Sequence, residues 1–331
     1  MSFLKPLSVC IRGGQTKYIR ALVPESVRLQ TIDGETTPPA QTDIFICGRP
    51  SAEDIEASSN LRLLIIPYAG VPEATRHLML EYPCIAVHNL HHNAAAAAEL
   101  AVALFLAAAK RLIPADRLLR KGDWSIRYTD AGDLQLEGKR ALILGFGAIG
   151  KRIARACRGL GMIPVAVRRR ENSARGRAED GTSIHSVPEL HELLASADAL
   201  FVATPLTDET RGMLGTPELD QLPRHAVLVN IARGPIVDEK ALYDALAGGS
   251  IAAAGLDVWY NYPRESSERT STYPSTFPFH ELEQVVLSPH RGGAYNRPEL
   301  EKARARHLAQ LLNAAARGEK IPNRVDLQAG Y

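Results

Sequence analysis

A glycine-rich turn between an apolar run and a helical pattern constrains this chain more than any other stretch. Arg140-Ala-Leu-Ile-Leu-Gly-Phe-Gly-Ala-Ile-Gly150 sets Gly145, Gly147 and Gly150 in a G-x-G-x-x-G spacing, after a strand-like segment and before Lys151–Leu160, which reads as a helix. Gly145 lets the chain turn sharply off the strand, and Gly147 lets backbone approach a pyrophosphate with no Cβ in the way. Gly150 lets the following helix pack closely on the sheet. The free N–H groups and positive dipole end of that helix then face the phosphates. A glycine-rich turn alone is the plainer alternative, but the strand before it and the helix after it favour a dinucleotide site. Gly145, Phe146, Gly147, Ala148, Ile149 and Gly150 are its candidate cofactor-binding residues.

The next strand discriminates between dinucleotides. Met162–Val167 reads as that strand, and its tip meets the adenosine ribose. An NAD site places an Asp or Glu there to accept from the ribose 2′-OH. Here the tip is Arg168-Arg169-Arg170, with no acid before Glu171. Guanidinium groups bind a 2′-phosphate through paired, charge-assisted hydrogen bonds, and a carboxylate repels it. The plainer alternative is a solvated charge run. Its position favours NADP over NAD, with Arg168 as the discriminator and Arg169 assisting; NAD stays open as an alternative.

Composition limits the partners. Of 331 residues, 45% are hydrophobic and 23% charged, enough for two domains, and the formal net charge of +2 points to neither nucleic acid nor a membrane surface. The basic excess is local, at 168–177. Cys10, Cys47, Cys84 and Cys157 lack paired metal spacing, so no metal is expected, and their number suits a reducing compartment. The start of the chain has no signal-like apolar segment. The longest apolar run, Ala94 to Ala109, is interrupted by Glu99, is short for a bilayer, and reads as a buried helix. The expectation is a cytoplasmic protein.

Short strands at Leu7–Arg12, Asp43–Cys47, Leu63–Ile66 and Ile85–His88 alternate with helical or loop segments. A long Ala-rich helix, Asn93–Lys110, follows. Later strands fit Leu200–Ala203, Val227–Ile231, Ala253–Val258 and Val285–Leu287, and an amphipathic helix runs from Arg297 to Arg317. This order predicts an α/β chain with parallel sheets covered by helices on both faces. Residues 1–110 with 291–331 form one expected domain and 111–290 the dinucleotide-binding one, with the ligand cleft between them.

Several motifs agree with that layout: Arg120-Lys-Gly-Asp-Trp124, Thr204-Pro-Leu-Thr207-Asp-Glu-Thr210, Asn230-Ile-Ala-Arg233-Gly-Pro-Ile-Val-Asp238, Ala254-Gly-Leu-Asp257-Val258 and Ser288-Pro-His290-Arg-Gly-Gly293. Together the chain resembles the D-isomer-specific 2-hydroxyacid dehydrogenase family over nearly its whole length, most densely from Gly122 to Gly293. The resemblance implies two Rossmann-like or flavodoxin-like domains and reduction of a small 2-oxo acid, or oxidation of the 2-hydroxy acid. Arg233 resembles the arginine that grips carboxylate and ketone oxygen, and His290 the histidine that exchanges the proton. Asp257 matches the position near the nicotinamide carboxamide. Thr204, Pro205, Thr207, Ile231, Ala232 and Gly292 line the cofactor path by the same likeness. Tyr68, Ala69, Gly70 and Val71 resemble the backbone clamp for the substrate carboxylate. His91, with His92, lies on a loop that borders substrate in the family, though loop histidines are ordinarily solvent-exposed. An isolated strand-end arginine is otherwise a surface ion pair, and Ser-Pro-His otherwise a turn.

One departure stands out. The family has a Glu before the proline of Asp-Val-x-x-x-Glu-Pro, where it holds the catalytic histidine and raises its pKa. Here Asp257-Val-Trp-Tyr-Asn-Tyr262-Pro263 puts a phenol in that place. Tyr262 can orient an imidazole but cannot stabilise imidazolium as an anion does. Three readings follow: Tyr262 supports His290 less strongly, so reduction fades at lower pH; Glu265, Glu268 or Glu281 folds back to substitute; or catalysis is lost and the chain only senses a dinucleotide.

The leading expectation is an NADPH-preferring reductase, with hydroxypyruvate or glyoxylate as first substrates. The alternatives are an interaction protein like the C-terminal binding protein corepressors, and a dehydrogenase of a non-hydroxyacid. Tyr260, Tyr262, Tyr273, Phe277 and Phe279 either cover the cleft or form a local cluster. The Ala-rich helix and Leu118–Trp124 resemble the family's dimer arm, so a homodimer is expected; the alternative for Ala94–Ala109 is a core helix whose small residues permit close packing.

Overall fold

The computed structural model describes residues 6–13, 18–129, 132–169, 176–293 and 297–330. The chain divides into two compact units, Met1–Asn93 with Ala294–Tyr331, and Ala94–Gly293.

In the first unit, β1 (Leu7–Arg12), β2 (Val27–Ile32), β3 (Ile44–Ile46), β4 (Leu63–Ile66) and β5 (Ala86–Asn89) form one sheet in the order β2-β1-β3-β4-β5. Every pairing is parallel. This is the flavodoxin-like strand order. Strand residues alternate between two apolar layers, as a pleat covered on both sides requires. Leu7, Val9, Ile11, Ile44 and Ile65 pack with Leu308, Leu311 and Leu312 of the C-terminal helix Pro298–Ala316. Cys10, Phe45, Leu64 and Ile66 form the opposite layer with Ile55 of α1 (Ala52–Glu56) and Met79 of α2 (Glu73–Leu80).

The second unit opens with α3 (Ala94–Ala109) and α4 (Leu112–Leu119). Its sheet comprises β6 (Arg140–Leu144), β7 (Ile163–Val167), β8 (Gly176–Arg177), β9 (Ser183–His185), β10 (Ala199–Val202), β11 (Val227–Asn230), β12 (Ala253–Leu256) and β13 (Val285–Leu287). The order is β13-β12-β11-β10-β6-β7-β9-β8, parallel except for the β8–β9 edge. From β6 the chain runs outward through β7 and β9, then returns to β10 on β6's other side. The strand order therefore reverses between β6 and β10, the place where such sheets bind ligands.

On one face, α3 and α5 (Ala148–Gly159) cover Ala141, Ile143, Phe201, Val227 and Val229. On the other, α6 (Leu190–Leu194), α7 (Thr216–Leu219) and α8 (Glu239–Ala247) cover Leu142, Leu144, Leu200, Val202 and Leu228.

The sequence reading assigned α3 to the first domain, ending at residue 110. Its contacts assign it to the second unit, against α5, β11 and β12. The cause is steric. A Cβ on Gly255 of β12 would lie 2.8 Å from the Leu104 Cβ and 3.1 Å from its backbone, so the bare glycine and small alanines let helix and sheet approach closely. The close-packed core reading of Ala94–Ala109 holds within this unit.

Candidate active site

The glycine loop sits at the strand-order reversal. Gly145 has φ +100°, and a Cβ there would approach Ala203 O to 2.6 Å and Thr204 N to 2.7 Å. The loop after β6 thus lies against the loop after β10, where Thr204, Pro205 and Thr207 are. Gly150 is tighter still: an added Cβ would collide with the Gly145 carbonyl oxygen. Gly147 differs, because a Cβ there would meet no protein atom within 4 Å. It is the residue before α5, a 12-residue helix. Two glycines are thereby required by the protein's own packing and the third bares backbone beside a helix N-terminus. That arrangement fits the pyrophosphate of a dinucleotide.

At the tip of β7, Arg168 is half-buried and its backbone N–H donates to the His185 carbonyl at 3.0 Å. Arg169 pairs with Glu209 at 2.8 Å, joining the β7 tip to the loop after β10. Arg170 and Glu171 lie outside the described residues. In the loop after β10, the Thr210 hydroxyl donates to Pro205 O at 2.7 Å and accepts from Thr207 N at 2.8 Å, a local clasp that fixes Thr204–Thr207.

Arg233, Tyr262 and His290 follow the adjacent strands β11, β12 and β13. Buried Asn230 closes β11 with an Asx turn: its Oδ1 accepts from Ala232 N at 3.1 Å and its Nδ2 donates to Arg233 O at 3.0 Å. This turn presents Ile231, Ala232 and Arg233. Behind it, a Cβ on Gly234 would strike the Trp259 carbonyl. The Arg233 guanidinium is exposed and donates to the Ala232 carbonyl at 2.6 Å.

His290 has φ 52°, left-handed backbone that a non-glycine residue adopts only when its surroundings impose it. Asp257, buried at the end of β12, does the imposing. Its carboxylate accepts from the Ser288 hydroxyl at 2.5 Å, Arg291 N at 2.8 Å and Gly292 N at 2.8 Å. A Cβ on Gly292 would lie 2.9 Å from that carboxylate. The contacts of Asp257 thus bracket His290, which is a positioning role that the sequence reading did not assign to it. Trp259 adds a second tie, its indole N–H donating to Ser288 O at 2.8 Å.

Tyr262 Oη lies 3.0 Å from His290 Nδ1 and accepts the Trp259 backbone N–H at 3.1 Å. The phenol is therefore within hydrogen-bonding distance of the imidazole. Glu265, Glu268 and Glu281 do not replace it: Glu265 accepts from the Ser267 hydroxyl, Glu268 from Arg264 N, and Glu281 lies beside His280. Burial first, then the Arg233 charge, hold His290 below the ordinary histidine range, with Asp257 opposing. Burial pushes the Tyr262 hydroxyl up. The nearby aromatics form a local cluster: Tyr243 meets Phe277 and Phe279, and Phe279 is buried against Trp259. Phe277 and Phe279 consequently belong to the second unit's own packing, and Tyr273 rests on His280.

In the first unit, Tyr68, Ala69, Gly70 and Val71 follow β4. Asn89 Nδ2 donates to Ala69 O at 2.6 Å, and a Cβ on Gly48 would strike the Tyr68 ring. His91 and His92 are half-buried, not open to solvent. The His91 backbone N–H donates to His307 Nδ1 at 3.1 Å. Burial, then Arg304, His307 and His91, push His92 down to about 4. Asn230, Trp259, Ser288 and His307 were absent from the sequence-derived site. Only Asn230, a turn-forming residue ending an apolar strand, carries a local signal for its role. Among the described residues no group of three or more His, Cys, Asp or Glu could hold a metal.

A glycine loop at the reversal of a parallel sheet, with arginine and histidine beyond two further strands of that sheet, defines a dinucleotide-binding protein of the Rossmann kind. Residues 102–292 match the family described as "D-isomer specific 2-hydroxyacid dehydrogenase, NAD binding domain", and the chain belongs to that family. A glyoxylate reductase of Korarchaeum cryptofilum is 38% identical over 231 residues, covering 69% of this chain and 65% of that protein. A D-3-phosphoglycerate dehydrogenase of Archaeoglobus fulgidus is 32% identical over 277 residues, covering 83% and 49%. The chain thus spans about half to two thirds of the length of these curated relatives. A crystal structure of a D-isomer specific 2-hydroxyacid dehydrogenase from Xanthobacter autotrophicus, in complex with NADPH and MES, superposes with TM-score 0.79 at 24% identity, covering 98% of this chain and 99% of that one. A putative member from Polaromonas superposes with TM-score 0.70 at 26% identity, covering 97% and 100%. No helix among the described residues is long and apolar enough to cross a membrane.

Proposed function

We propose that this chain reduces a small 2-oxo acid, with NADPH preferred over NADH and glyoxylate or hydroxypyruvate as first substrates. The observation that carries the reading is the cluster beyond β11, β12 and β13: an exposed guanidinium, and a histidine paired to a phenol, in the unit that holds the glycine loop. The dinucleotide, when bound, supplies the hydride that reduces C2 and is itself oxidised. Arg233 holds the substrate carboxylate and ketone oxygen through its planar fork and stabilises the oxyanion as it forms. His290 gives the proton from Nε2 to that oxygen and takes one back in oxidation. Tyr262 orients the ring. Ile231, Ala232, Asp257 and Gly292 border the cofactor in this reading, Tyr68–Val71 serve the substrate carboxylate, and His91 borders the substrate.

NADPH preference rests on Arg168 and Arg169. The Arg169–Glu209 pair is exposed, and such pairs contribute about 0–1 kcal/mol, less than a guanidinium–phosphate contact. Replacing both arginines by Ala is expected to lower kcat/KM for NADPH by about 10²- to 10⁴-fold, one charged hydrogen bond of roughly 1.5–3 kcal/mol being lost from each, and to leave NADH nearly unchanged. Cofactor oxidation with glyoxylate, hydroxypyruvate and phenylpyruvate measures this. Equal loss with both cofactors would refute the 2′-phosphate role, and no turnover on any acid would refute the reductase.

We also propose a homodimer in the cytoplasm. With α3 in the core, the dimer reading rests on the exposed apolar side chains Leu112, Leu119, Trp124 (58% exposed) and Tyr128 (79%) along and just after α4. Light scattering is expected to give twice the 36.0 kDa chain mass, and Trp124→Asp to shift it toward the monomer. Three buried thiols and the exposed Cys84, none in a disulfide, fit a reducing compartment.

A further inference from the structure

We propose that the Tyr262 hydroxyl decides which nitrogen of His290 carries the proton: accepting from the Trp259 N–H, it donates its own proton to Nδ1 and keeps neutral His290 in the Nε2–H form. This deepens the reductase reading, on which its kinetic consequence rests.

A phenol has one proton to give and lone pairs to receive. The backbone N–H of Trp259 can only donate, so its 3.1 Å contact occupies Tyr262 as an acceptor. Between Oη and Nδ1, 3.0 Å apart, lies a single hydrogen, either the phenol's or the imidazole's. Were it the imidazole's, Oη would receive two N–H groups and its own proton would turn elsewhere. Among the described residues the acceptor offered to that proton is Nδ1. The geometry is held from both ends, because Trp259 also fixes Ser288 and Asp257 brackets His290.

A carboxylate in the same place works in reverse. It has no proton at neutral pH, so Nδ1 must carry one, leaving Nε2 bare in the neutral ring and imidazolium stabilised. With Tyr262 the neutral ring holds its proton on Nε2. That form has no lone pair on Nε2 to accept a proton, and it gives its Nε2 proton far less readily than imidazolium does. Above the titration it holds the ring back from both reduction and oxidation. To become imidazolium, His290 takes a proton at Nδ1, and the phenol turns from donor to acceptor. Among the described residues the charges felt by His290 are those of Arg233, which favours the neutral ring, and Asp257, which opposes it. Reduction uses the protonated ring, so activity is full below its pKa and lost as pH rises through it. Hydrogen bonding to the neutral form moves that loss to lower pH.

The test uses the full chain with isotope-labelled histidine. Long-range proton–nitrogen correlation reports which ring nitrogen is protonated, and a His290→Gln spectrum assigns the signals. Above the titration, His290 is expected as Nε2–H in the unmodified protein and as Nδ1–H in Tyr262→Glu. Nδ1–H in the unmodified protein would overturn the proposal. Tyr262 is 44% exposed, which permits the glutamate, and the unmodified spectrum decides without it. In turnover, Tyr262→Glu is expected to raise the alkaline limit of reduction by about one to three pH units; an unmoved limit overturns the proposal. Failure to turn over any 2-oxo acid defeats the reductase reading and leaves the spectrum to decide the tautomer.

Discussion

Arg233→Ala is expected to lower kcat/KM for 2-oxo acid reduction by about 10³-fold, the scale on which loss of one oxyanion donor is felt. The guanidinium is anchored by its own Ala232 carbonyl at 2.6 Å, which leaves most of its donors directed at solvent. A substrate carboxylate and a developing oxyanion can each take donors from the same planar fork. Loss should therefore fall on kcat as well as KM, because the oxyanion charge grows toward the transition state. Arg233→Lys should recover only part, since an ammonium cannot make two parallel bonds in a fixed plane. A second signature is electrostatic. The Arg233 charge depresses His290, so its removal raises the histidine pKa and moves the alkaline limit of the residual activity upward. The fold should be indifferent, because exposed side chains outside packing networks change stability by about 0.5 kcal/mol or less. A rate loss below about tenfold with an unmoved pH limit would remove Arg233 from the site.

What the sequence conveyed about this site follows from how local each cause is. Gly145 and Gly150 were readable because their demand is backbone geometry: a positive φ at Gly145, and at both a carbonyl oxygen standing where a Cβ would go. β1, β4 and β13 span the residues their apolar runs indicated, Leu7–Arg12, Leu63–Ile66 and Val285–Leu287. β2 escaped notice because it is an edge strand with only Val27 and Ile32 buried, so little apolar pattern marks it. The α3 helix was legible as a helix, but an alanine-rich surface does not reveal which sheet it packs on. That was decided by Gly255, distant in sequence, which leaves room for Leu104. The direction of the Tyr262–His290 bond lay further out of reach. It depends on the backbone N–H of Trp259, which any residue but proline at that position supplies. The substitution at Tyr262 was visible as a letter, but its proton was not.

Asp257→Ala is expected to destabilise the second unit by about 3–5 kcal/mol, because it strands a buried hydroxyl and two backbone N–H groups at roughly 1–3 kcal/mol each, less whatever solvent recovers. The carboxylate's partners are Ser288, Arg291 and Gly292, the residues on both sides of His290. They hold His290 at φ 52°, which an unconstrained histidine would leave. Loosening the segment therefore damages activity beyond the loss of folded protein, since the ring's path to Tyr262 is set by that backbone. Asp257→Asn separates the two effects. An amide oxygen can keep the Ser288 and Arg291 bonds now made to Oδ1, but the NH2 then meets the Gly292 N–H donor to donor. The asparagine variant should fall between wild type and alanine in urea denaturation, while losing rate at a temperature where it remains folded. Recovery of full rate in folded Asp257→Asn would mean that the loop holds His290 without a carboxylate, and would overturn the positioning role of Asp257.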